Sequence, residues 1–261
     1  PTAPFALVDD AQSTLAVATD ERGFVQKLRR GGYDGKGVKV CDAGTAAEAL
    51  FDAPCVVESR IDIEKELAVI VARNAEGEIS CFPPVEMVFD PELNLVDFLL
   101  APARVDASVI ADAEAYAHKI ATELELVGLL AIELFLTRDG ELLVNEMAPR
   151  PHNSGHHTIE ANLTSQYEQL LRAICGLPLG RTDARCMAGM LNLIGANQKT
   201  GAPVYTGIPE ALRQSGVYPH IYGKAETRPG RKMGHITFIA DSEAELLKKY
   251  SQLKTLCEVS A

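Results

Sequence analysis

Apolar residues near the start of the chain fall into short runs that predict β-strands. These runs cover residues 5–8, 24–28, 37–41, 55–59 and 66–74. Between residues 106 and 126 the apolar positions follow helical spacing instead. One face of that segment carries Val109, Ala113, Ala117, Ile120 and Leu124. The pattern therefore predicts an amphipathic helix after a group of strands.

Sequence signals at helix ends predict three more helices. Thr45 and Glu48 have the spacing of a capping box, as do Ser242 and Glu245, whose helix is expected to run through residue 256. A helix over about 164–175 should end at residue 176, because a glycine there accepts the left-handed conformation that closes many helices. Strands and helices are mixed rather than strictly alternating, which predicts an α+β fold with antiparallel sheets. The polar segment 179–186 is the best boundary between a main body and a smaller C-terminal lobe.

Composition narrows the classes of function. The 261 residues are 47% apolar, enough for a sizeable core, and the net charge is −11. This acidity argues against a general binder of nucleic acid or of membrane surfaces. The apolar runs are far shorter than the roughly 20 residues of a membrane span. Six scattered cysteines without a C-x-x-C pair, and no visible signal peptide, favour a cytoplasmic protein. The start at Pro1 indicates a processed or truncated chain.

Two carboxylates lie in a predicted hairpin, LLAIELFLTRDGELLVNEMA at 129–148. The Asp139-Gly140 pair favours a two-residue type I′ turn, which sets Glu133 opposite Glu146. Cross-strand carboxylates at such a distance repel each other unless a cation lies between them. Mg²⁺ takes carboxylate ligands together with phosphate oxygens. We therefore interpret Glu133 and Glu146 as metal ligands; the alternative is that both side chains face solvent.

The segment NEMAPRPHNSGHH at 145–157 follows directly. Pro149 and Pro151 are expected to hold Arg150 in an extended segment, where its guanidinium can grip an anion. The three histidines have no cysteine nearby, and their spacing does not place all three on one face of a helix, so they do not fit a zinc site. Ser154 lies outside any G-x-S-x-G motif, which argues against a serine nucleophile.

The glycine-rich stretch GGYDGKG at 31–37 is not a Walker loop. Gly31 precedes Lys36 by five positions rather than six, and a glycine stands where the motif needs Ser or Thr. Glycines still allow backbone N–H groups to approach phosphate oxygens closely.

The order of these motifs resembles the ATP-grasp family, and the PRPHNSGH form resembles its carboxyaminoimidazole ribonucleotide synthases. KAETRPGRKMGHITF at 224–238 is similar to the C-terminal lobe of that group. The resemblance implies two α+β lobes with antiparallel sheets that clasp ATP, over residues 1–58 and 59–178, and a small β-rich lobe over 179–261. It also implies a Rossmann-like domain ahead of this segment, so full activity of this chain alone is in question.

By resemblance, the glycine-rich loop closes over the phosphates of ATP, and the implied cofactors are ATP and Mg²⁺. The implied nucleotide-binding residues are Lys27, Gly32, Tyr33, Asp34, Gly35, Lys36, Gly37, Glu58, Ser59, Arg60, Ile61, Glu66, Asn145 and Glu146. Within this set, 58–61 resembles the adenine hinge and Glu66 the carboxylate that binds the ribose.

The implied reaction is ATP- and bicarbonate-dependent carboxylation of aminoimidazole ribonucleotide through carboxyphosphate, in purine biosynthesis. The implied catalytic residues are Arg150, His152, Lys36, Tyr33 and Asp34. The implied substrate-binding residues are Lys224, Arg231, Lys232 and Asn153.

Two alternatives stay open. One is another ATP-grasp acyl-phosphate ligase, such as a formate-dependent glycinamide ribonucleotide transformylase. The other is a nucleotide-binding fragment without catalysis. The family also implies a homodimer.

Overall fold

The computed structural model describes residues 1–32, 37–90, 95–196 and 199–261. Its helices within these ranges are α1 Ala11–Val17, α2 Ala107–Glu123, α3 Thr158–Ala161, α4 Gln166–Ile174, α5 Ile208–Leu212 and α6 Glu243–Leu256. The strands are β1 Phe5–Val8, β2 Phe24–Leu28, β3 Val38–Cys41, β4 Cys55–Ser59, β5 Ile63–Arg73, β6 Ile79–Cys81, β7 Val85–Asp90, β8 Leu95–Ala101, β9 Gly128–Thr137, β10 Leu142–Ala148, β11 Met187–Ile194, β12 Val204–Thr206, β13 Val217–Ile221, β14 Lys232–Ala240 and β15 Glu258–Ser260. Short 3-10 turns cover Ala47–Ala49 and Asn153–Gly155.

The chain forms two compact units. The first contains Pro1–Glu64 and Phe135–Asn145, and the second contains Lys65–Leu134 and Glu146–Ala261. Strands β9 and β10 therefore carry residues of both units. The division into lobes over residues 1–58, 59–178 and 179–261 remains a prediction.

The first unit has an antiparallel sheet with the strand order β1-β4-β2-β3. Its apolar side chains, including Val8, Phe24, Cys55 and Val57, are buried together against α1. Gln26 is fully buried in this core and donates from Nε2 to Thr14 Oγ1 and to the Phe51 carbonyl, each at 3.0 Å. Because both contacts satisfy the amide nitrogen, a polar residue is tolerated in the middle of β2.

The larger sheet has the order β10-β9-β5-β7-β8-β11-β14-β13, with β6 paired to β5. Its central strands β5 and β9 are buried over most of their length, as their continuous apolar sequences predict. Alternate residues of β11 and β14 face opposite sides of this sheet. Leu191 and Ile236 pack with Leu246 and Leu253 of α6 on one side.

The opposite side of β11 and β14 is apolar at Ala188 and Met190 and becomes polar further along the strands. Asn192 is paired with His235 across the two strands, and His235 is paired with His220 of β13. All these positions have the parity opposite to Leu191 and Ile236. The register of three strands thus places an amide and two imidazoles on a single face of the sheet.

The α+β class and the antiparallel pairing are confirmed. Helix α6 begins after Ser242, whose Oγ accepts a hydrogen bond from Glu245 N at 3.3 Å, as the capping box predicts. Helix α4 ends at Ile174, Cys175 caps it, and Gly176 follows with φ 67°. In α2 the predicted Ala113 and Ala117 are buried.

Two details of the sequence reading were wrong. The capping box at Thr45 does not start a helix: Thr45 Oγ1 donates to the Asp42 carbonyl at 2.8 Å, and only the 3-10 turn at Ala47–Ala49 follows. In α2, Leu124 is 57% exposed and Ala121 takes the buried position, because the helix ends at Glu123.

No helix in the described part of the chain is both long and apolar enough to cross a membrane.

Candidate active site

The hairpin that carries the two predicted metal ligands turns through three residues, not two. Thr137 N donates to the Glu141 carbonyl, and Gly140 N donates to the Thr137 carbonyl, both at 2.9 Å. Gly140 has φ 81°. This pattern is a type I turn closed by a glycine bulge, so the predicted two-residue type I′ turn was wrong. An Asp-Gly pair suits both turns, and the extra loop residue shifts the register of the turn.

The carboxylates of Glu133 and Glu146 nevertheless come together. One ligand atom from each, with one ring nitrogen of His152, all lie within 4.8 Å of one another. Among the described residues this is the group of three that could hold a metal ion. Glu133 is half-buried and Glu146 is exposed, so one carboxylate lies deeper than the other.

The ring of His152 is oriented by its own segment. The Ser154 N–H points to His152 Nδ1 at 3.4 Å, and Ser154 Oγ lies 2.8 Å from the same atom. Because Nδ1 accepts the backbone hydrogen, the ring proton belongs on Nε2. Nε2 lies 3.5 Å from Glu133 Oε1. The imidazole therefore presents an N–H to the carboxylate group rather than a lone pair.

The donor set fits a hard cation. Mg²⁺ prefers oxygen ligands and is commonly held by one or two carboxylates, which Glu133 and Glu146 provide. With its proton on Nε2, the His152 ring donates to a carboxylate or to an anion instead of ligating.

Arg150 lies on a bend, not in an extended segment. Its N–H donates to the Ala148 carbonyl at 2.9 Å, across Pro149, and one guanidinium nitrogen donates to the Pro151 carbonyl at 3.1 Å. Such a short turn is common where a strand ends. The exposed guanidinium has five donor hydrogens, so it can also contact an anion.

Asn153 is held by a residue that sequence reasoning missed. Its Nδ2 donates to Asn192 Oδ1 at 2.8 Å, and Asn192 Nδ2 donates back to Asn153 Oδ1 at 3.0 Å. Asn192 also donates to the Val96 carbonyl at 2.7 Å. An asparagine between Leu191 and Leu193, within a strand, was the available sequence signal.

Three histidine rings stack beside this segment. His156 lies 4.6 Å from His235, and His235 lies 4.4 Å from His220, between ring centroids. Burial lowers the pKa of His156 to about 3 and that of His235 to about 2, so both rings are neutral at neutral pH. Tyr167 and Tyr222 place their hydroxyls 2.8 and 2.9 Å from Nδ1 of His156 and of His235. The stack joins the 152–157 segment to β13 and β14.

The C-terminal basic residues are only partly grouped. Lys224 donates to the backbone carbonyl of Lys232, and its ammonium lies 5.4 Å from the centroid of the Tyr222 ring. Arg231 instead donates to the Glu226 carbonyl at 2.9 Å. Lys224 and Lys232 therefore lie together, while one guanidinium nitrogen of Arg231 is hydrogen-bonded within its own loop.

Glu66, the predicted ribose ligand, lies half-buried on β5, opposite Met87 of β7.

In the first unit, Lys27 is the centre of a polar group. Its ammonium lies 2.7 Å from the Glu58 carboxylate and donates to Asn145 Oδ1 at 2.9 Å. Two further predicted nucleotide-binding residues, Glu58 and Asn145, therefore contact Lys27.

The other predicted residues of this unit are more scattered. Arg60 is paired with Asp42 at 2.9 Å, while Ser59 and Ile61 are half-buried. Gly32 and Gly37 flank the glycine-rich loop. Its remaining members, Tyr33, Asp34, Gly35 and Lys36, lie outside the described residues.

Comparison with known proteins identifies two family domains. The ATP-grasp domain matches residues 1–167, and the phosphoribosylaminoimidazole carboxylase C-terminal domain matches residues 188–249. The chain is 45% identical to the N5-carboxyaminoimidazole ribonucleotide synthase of Bacillus subtilis strain 168, over 95% of this chain and 64% of that protein. It is 39% identical to a phosphoribosylaminoimidazole carboxylase of Schizosaccharomyces pombe, over 93% of this chain and 45% of that protein. The chain thus spans less than two thirds of the length of these relatives.

Solved structures give the same result. The N5-carboxyaminoimidazole ribonucleotide synthetase of Thermotoga maritima is 42% identical, with a TM-score of 0.90, over 100% of this chain and 68% of that one. The synthase of Aspergillus clavatus, in complex with ADP and aminoimidazole ribonucleotide, is 29% identical with a TM-score of 0.84, over 98% of this chain and 68% of that one. Matched motifs, fold and sequence identity all point the same way, and the chain belongs to the ATP-grasp family and, within it, to the N5-carboxyaminoimidazole ribonucleotide synthases.

Proposed function

We propose that the protein carboxylates aminoimidazole ribonucleotide, with ATP and bicarbonate as co-substrates, to give the N5-carboxyamino product. The observation that carries this proposal is the group formed by the Glu133 and Glu146 carboxylates and a ring nitrogen of His152, whose atoms lie within 4.8 Å of one another. The Aspergillus clavatus relative, which binds ADP and aminoimidazole ribonucleotide, supports the choice of substrates.

The chemistry needs negative charge to be neutralised and reactants to be aligned. Bicarbonate oxygen attacks the γ-phosphorus of ATP, the bond to ADP breaks, and carboxyphosphate forms. The amine of the ribonucleotide then attacks the carboxyl carbon, and phosphate leaves. Mg²⁺ bound by Glu133 and Glu146 would neutralise phosphate oxygens.

The side chains around this group have distinct tasks. Arg150 on its bend would bind bicarbonate and carboxyphosphate through its exposed guanidinium. The Nε2–H of His152 would donate to an oxygen that gains negative charge. Asn153, fixed by its paired amide, would orient the ribonucleotide.

Substrate phosphate and nucleotide contacts come from other residues. Lys224 and Lys232 would bind the ribonucleotide phosphate, with Arg231 as a third cation. Lys27, with Glu58 and Asn145 around it, would contact ATP phosphate, and Glu66 would bind the ribose hydroxyls. Ser59, Arg60 and Ile61 would line the adenine site. The assignments of Gly32, Gly37 and the loop between them rest on the resemblance to the family.

The protein is expected to be cytoplasmic and homodimeric, with small molecules rather than nucleic acid as partners. The segment 179–186 is proposed as the boundary of the C-terminal lobe.

The test is ADP release by this chain with Mg-ATP, bicarbonate and aminoimidazole ribonucleotide, with each component omitted in turn. We expect release to need bicarbonate and to rise with the ribonucleotide, with the carboxylated product formed. Replacing bicarbonate with formate separates the carboxylase from a formate-dependent transformylase. Activation by formate alone would contradict the proposal. ATP binding without release under any mixture would instead indicate a nucleotide-binding segment that lacks turnover by itself.

A further inference from the structure

Gln166, the first residue of α4, holds the backbone of His152 at both of its hydrogen-bonding groups. Gln166 Oε1 accepts from His152 N at 2.9 Å, and Gln166 Nε2 donates to the His152 carbonyl at 2.8 Å. Gln166 is fully buried. A buried amide without hydrogen-bond partners destabilises the fold by its full desolvation free energy. The fold therefore strongly favours the conformation in which Gln166 keeps both hydrogen bonds.

The amide of Gln166 is itself fixed in place. Its backbone N–H donates to Thr158 Oγ1 at 2.9 Å. Its Nε2 also lies 3.1 Å from His156 Nδ1. A Cβ added at Gly155 would lie 2.5 Å from Gln166 Oε1, so the glycine is required for this close approach. Contacts with Thr158, His156 and Gly155 thus hold the Gln166 amide in this position.

The two hydrogen bonds between Gln166 and the His152 backbone have a direct consequence for the His152 ring. Ser154 fixes the rotation of the ring through Nδ1, at 2.8 Å from its hydroxyl. The backbone from which the ring projects is fixed by Gln166. With both constraints in place, Nε2 remains directed at Glu133, 3.5 Å away.

We infer that Gln166 is a positioning residue, which keeps the His152 imidazole directed at the carboxylates of Glu133 and Glu146. The inference rests on the proposed function in one respect, that this group is the site of phosphate chemistry. Groups that orient the residues around a metal typically change affinity or activity by about 10- to 100-fold when removed.

Helix α4 supplies a matched control. Gln169 is also fully buried, and it holds another backbone in the same way. Its Nε2 donates to the Gly180 carbonyl at 2.9 Å, and its Oε1 accepts from Gly180 N at 2.8 Å. The two glutamines lie on the same helix, are equally buried and make the same type of contact. They differ in their partner, which is the His152 backbone for Gln166 and the Gly180 backbone for Gln169.

The experiment compares Gln166→Met with Gln169→Met. Methionine keeps the length of the side chain and removes both hydrogen bonds, so both variants should lose stability to a similar degree. Histidine-selective ¹⁵N labelling gives a simple spectrum because the chain has 6 histidines. The His152 ring signals are identified by their loss in His152→Asn. We expect them to shift and broaden in Gln166→Met and to stay unchanged in Gln169→Met.

Kinetics provide the second readout. In Gln166→Met the turnover number for ADP release should fall about 10- to 100-fold. The KM for ATP should stay within about twofold, because the change affects the orientation of His152 rather than nucleotide binding. Gln169→Met should keep a turnover number within about twofold of the parent chain.

The outcomes are separable. If His152 signals are unchanged in Gln166→Met, or change equally in both variants, the positioning role is wrong. If the parent chain releases no ADP, the proposed function fails, while the ring signals still decide the role of Gln166. Should Gln166→Met not fold, Gln166→Glu keeps the shape and the acceptor for His152 N, and the same spectral change is expected from it.

Discussion

The carboxylate of Glu146 is the most exposed member of the group that we assign to Mg²⁺. Glu146→Ala removes one of the two proposed carboxylate ligands, so the transition state for phosphoryl transfer should lose several kcal/mol of stabilisation. We expect ADP release to fall at least about a hundredfold, since about 1.4 kcal/mol corresponds to a factor of ten. Steady-state assays at saturating Mg²⁺ measure it.

Glu141 offers the control for that substitution. It is an exposed glutamate of the same hairpin, outside the group of ligands. Glu141→Ala should release ADP at the rate of the parent chain. Unchanged ADP release by Glu146→Ala would remove Glu146 from the set of ligands.

Glu86 is a buried carboxylate whose charge depends on two cations. Burial raises its pKa, but Arg104, 2.5 Å away, and Lys65, 3.3 Å away, outweigh this effect and lower it. A lowered pKa in the folded state stabilises the fold above the pKa of the unfolded chain, about 4.3. That stabilisation is lost as the pH falls through the folded value.

We therefore expect Glu86→Gln to cost about 1.5–3 kcal/mol at pH 7, the usual range for hydrogen bonds to charged groups. The difference from the parent chain should shrink as the pH falls below about 4. Urea unfolding at several pH values measures it. Glu243→Gln, which removes the exposed partner of Arg104, should cost less. A difference that is constant with pH would contradict the assignment.

The hairpin between β9 and β10 depends on one glycine. Gly140 has φ 81° and a Cβ there would meet nothing within 4 Å, so the cost of a side chain is conformational rather than steric. Gly140→Ala should destabilise the fold by roughly 1–2 kcal/mol. Thermal unfolding measures this, and Asp139→Ala, at a neighbouring loop position without positive φ, serves as the control. Equal effects of the two substitutions would mean that the left-handed conformation is not required.

Helix α4 departs from the usual pattern of a surface helix. Its buried side carries Gln166 and Gln169 beside Ala173, while Leu171 and Ile174 are exposed. The buried amides are tolerated because each is fully hydrogen-bonded to the backbone of a neighbouring segment.

Ligand binding should stabilise the protein, because Mg-ATP is expected to bind only the folded chain. At a concentration 100 times the dissociation constant, the gain is about 2.7 kcal/mol, which raises the midpoint of thermal unfolding. Removal of Mg²⁺ with EDTA should abolish most of this gain, and Glu146→Ala should reduce it. A midpoint that is insensitive to Mg-ATP would contradict nucleotide binding by this chain.

Local sequence determined much of this protein. The α+β class, the strands β1, β2 and β4, and the end of α4 at Gly176 follow from periodicity and from signals that act within a few residues. The proximity of the Glu133 and Glu146 carboxylates also follows, since a hairpin brings together residues that are close in sequence. The motif order was specific enough to identify the family.

Tertiary structure decided the rest. An Asp-Gly pair suits both the two-residue and the three-residue turn, so the sequence does not choose between them. The pairing of the two strands selects the three-residue turn at Gly140. Asn192, His220 and His235 come from distant strands, and the register of β11, β13 and β14 places them on one face. Gln166 contacts His152 because α4 folds back on the segment before it. Contacts between residues distant in sequence depend on how elements pack, which local patterns do not encode.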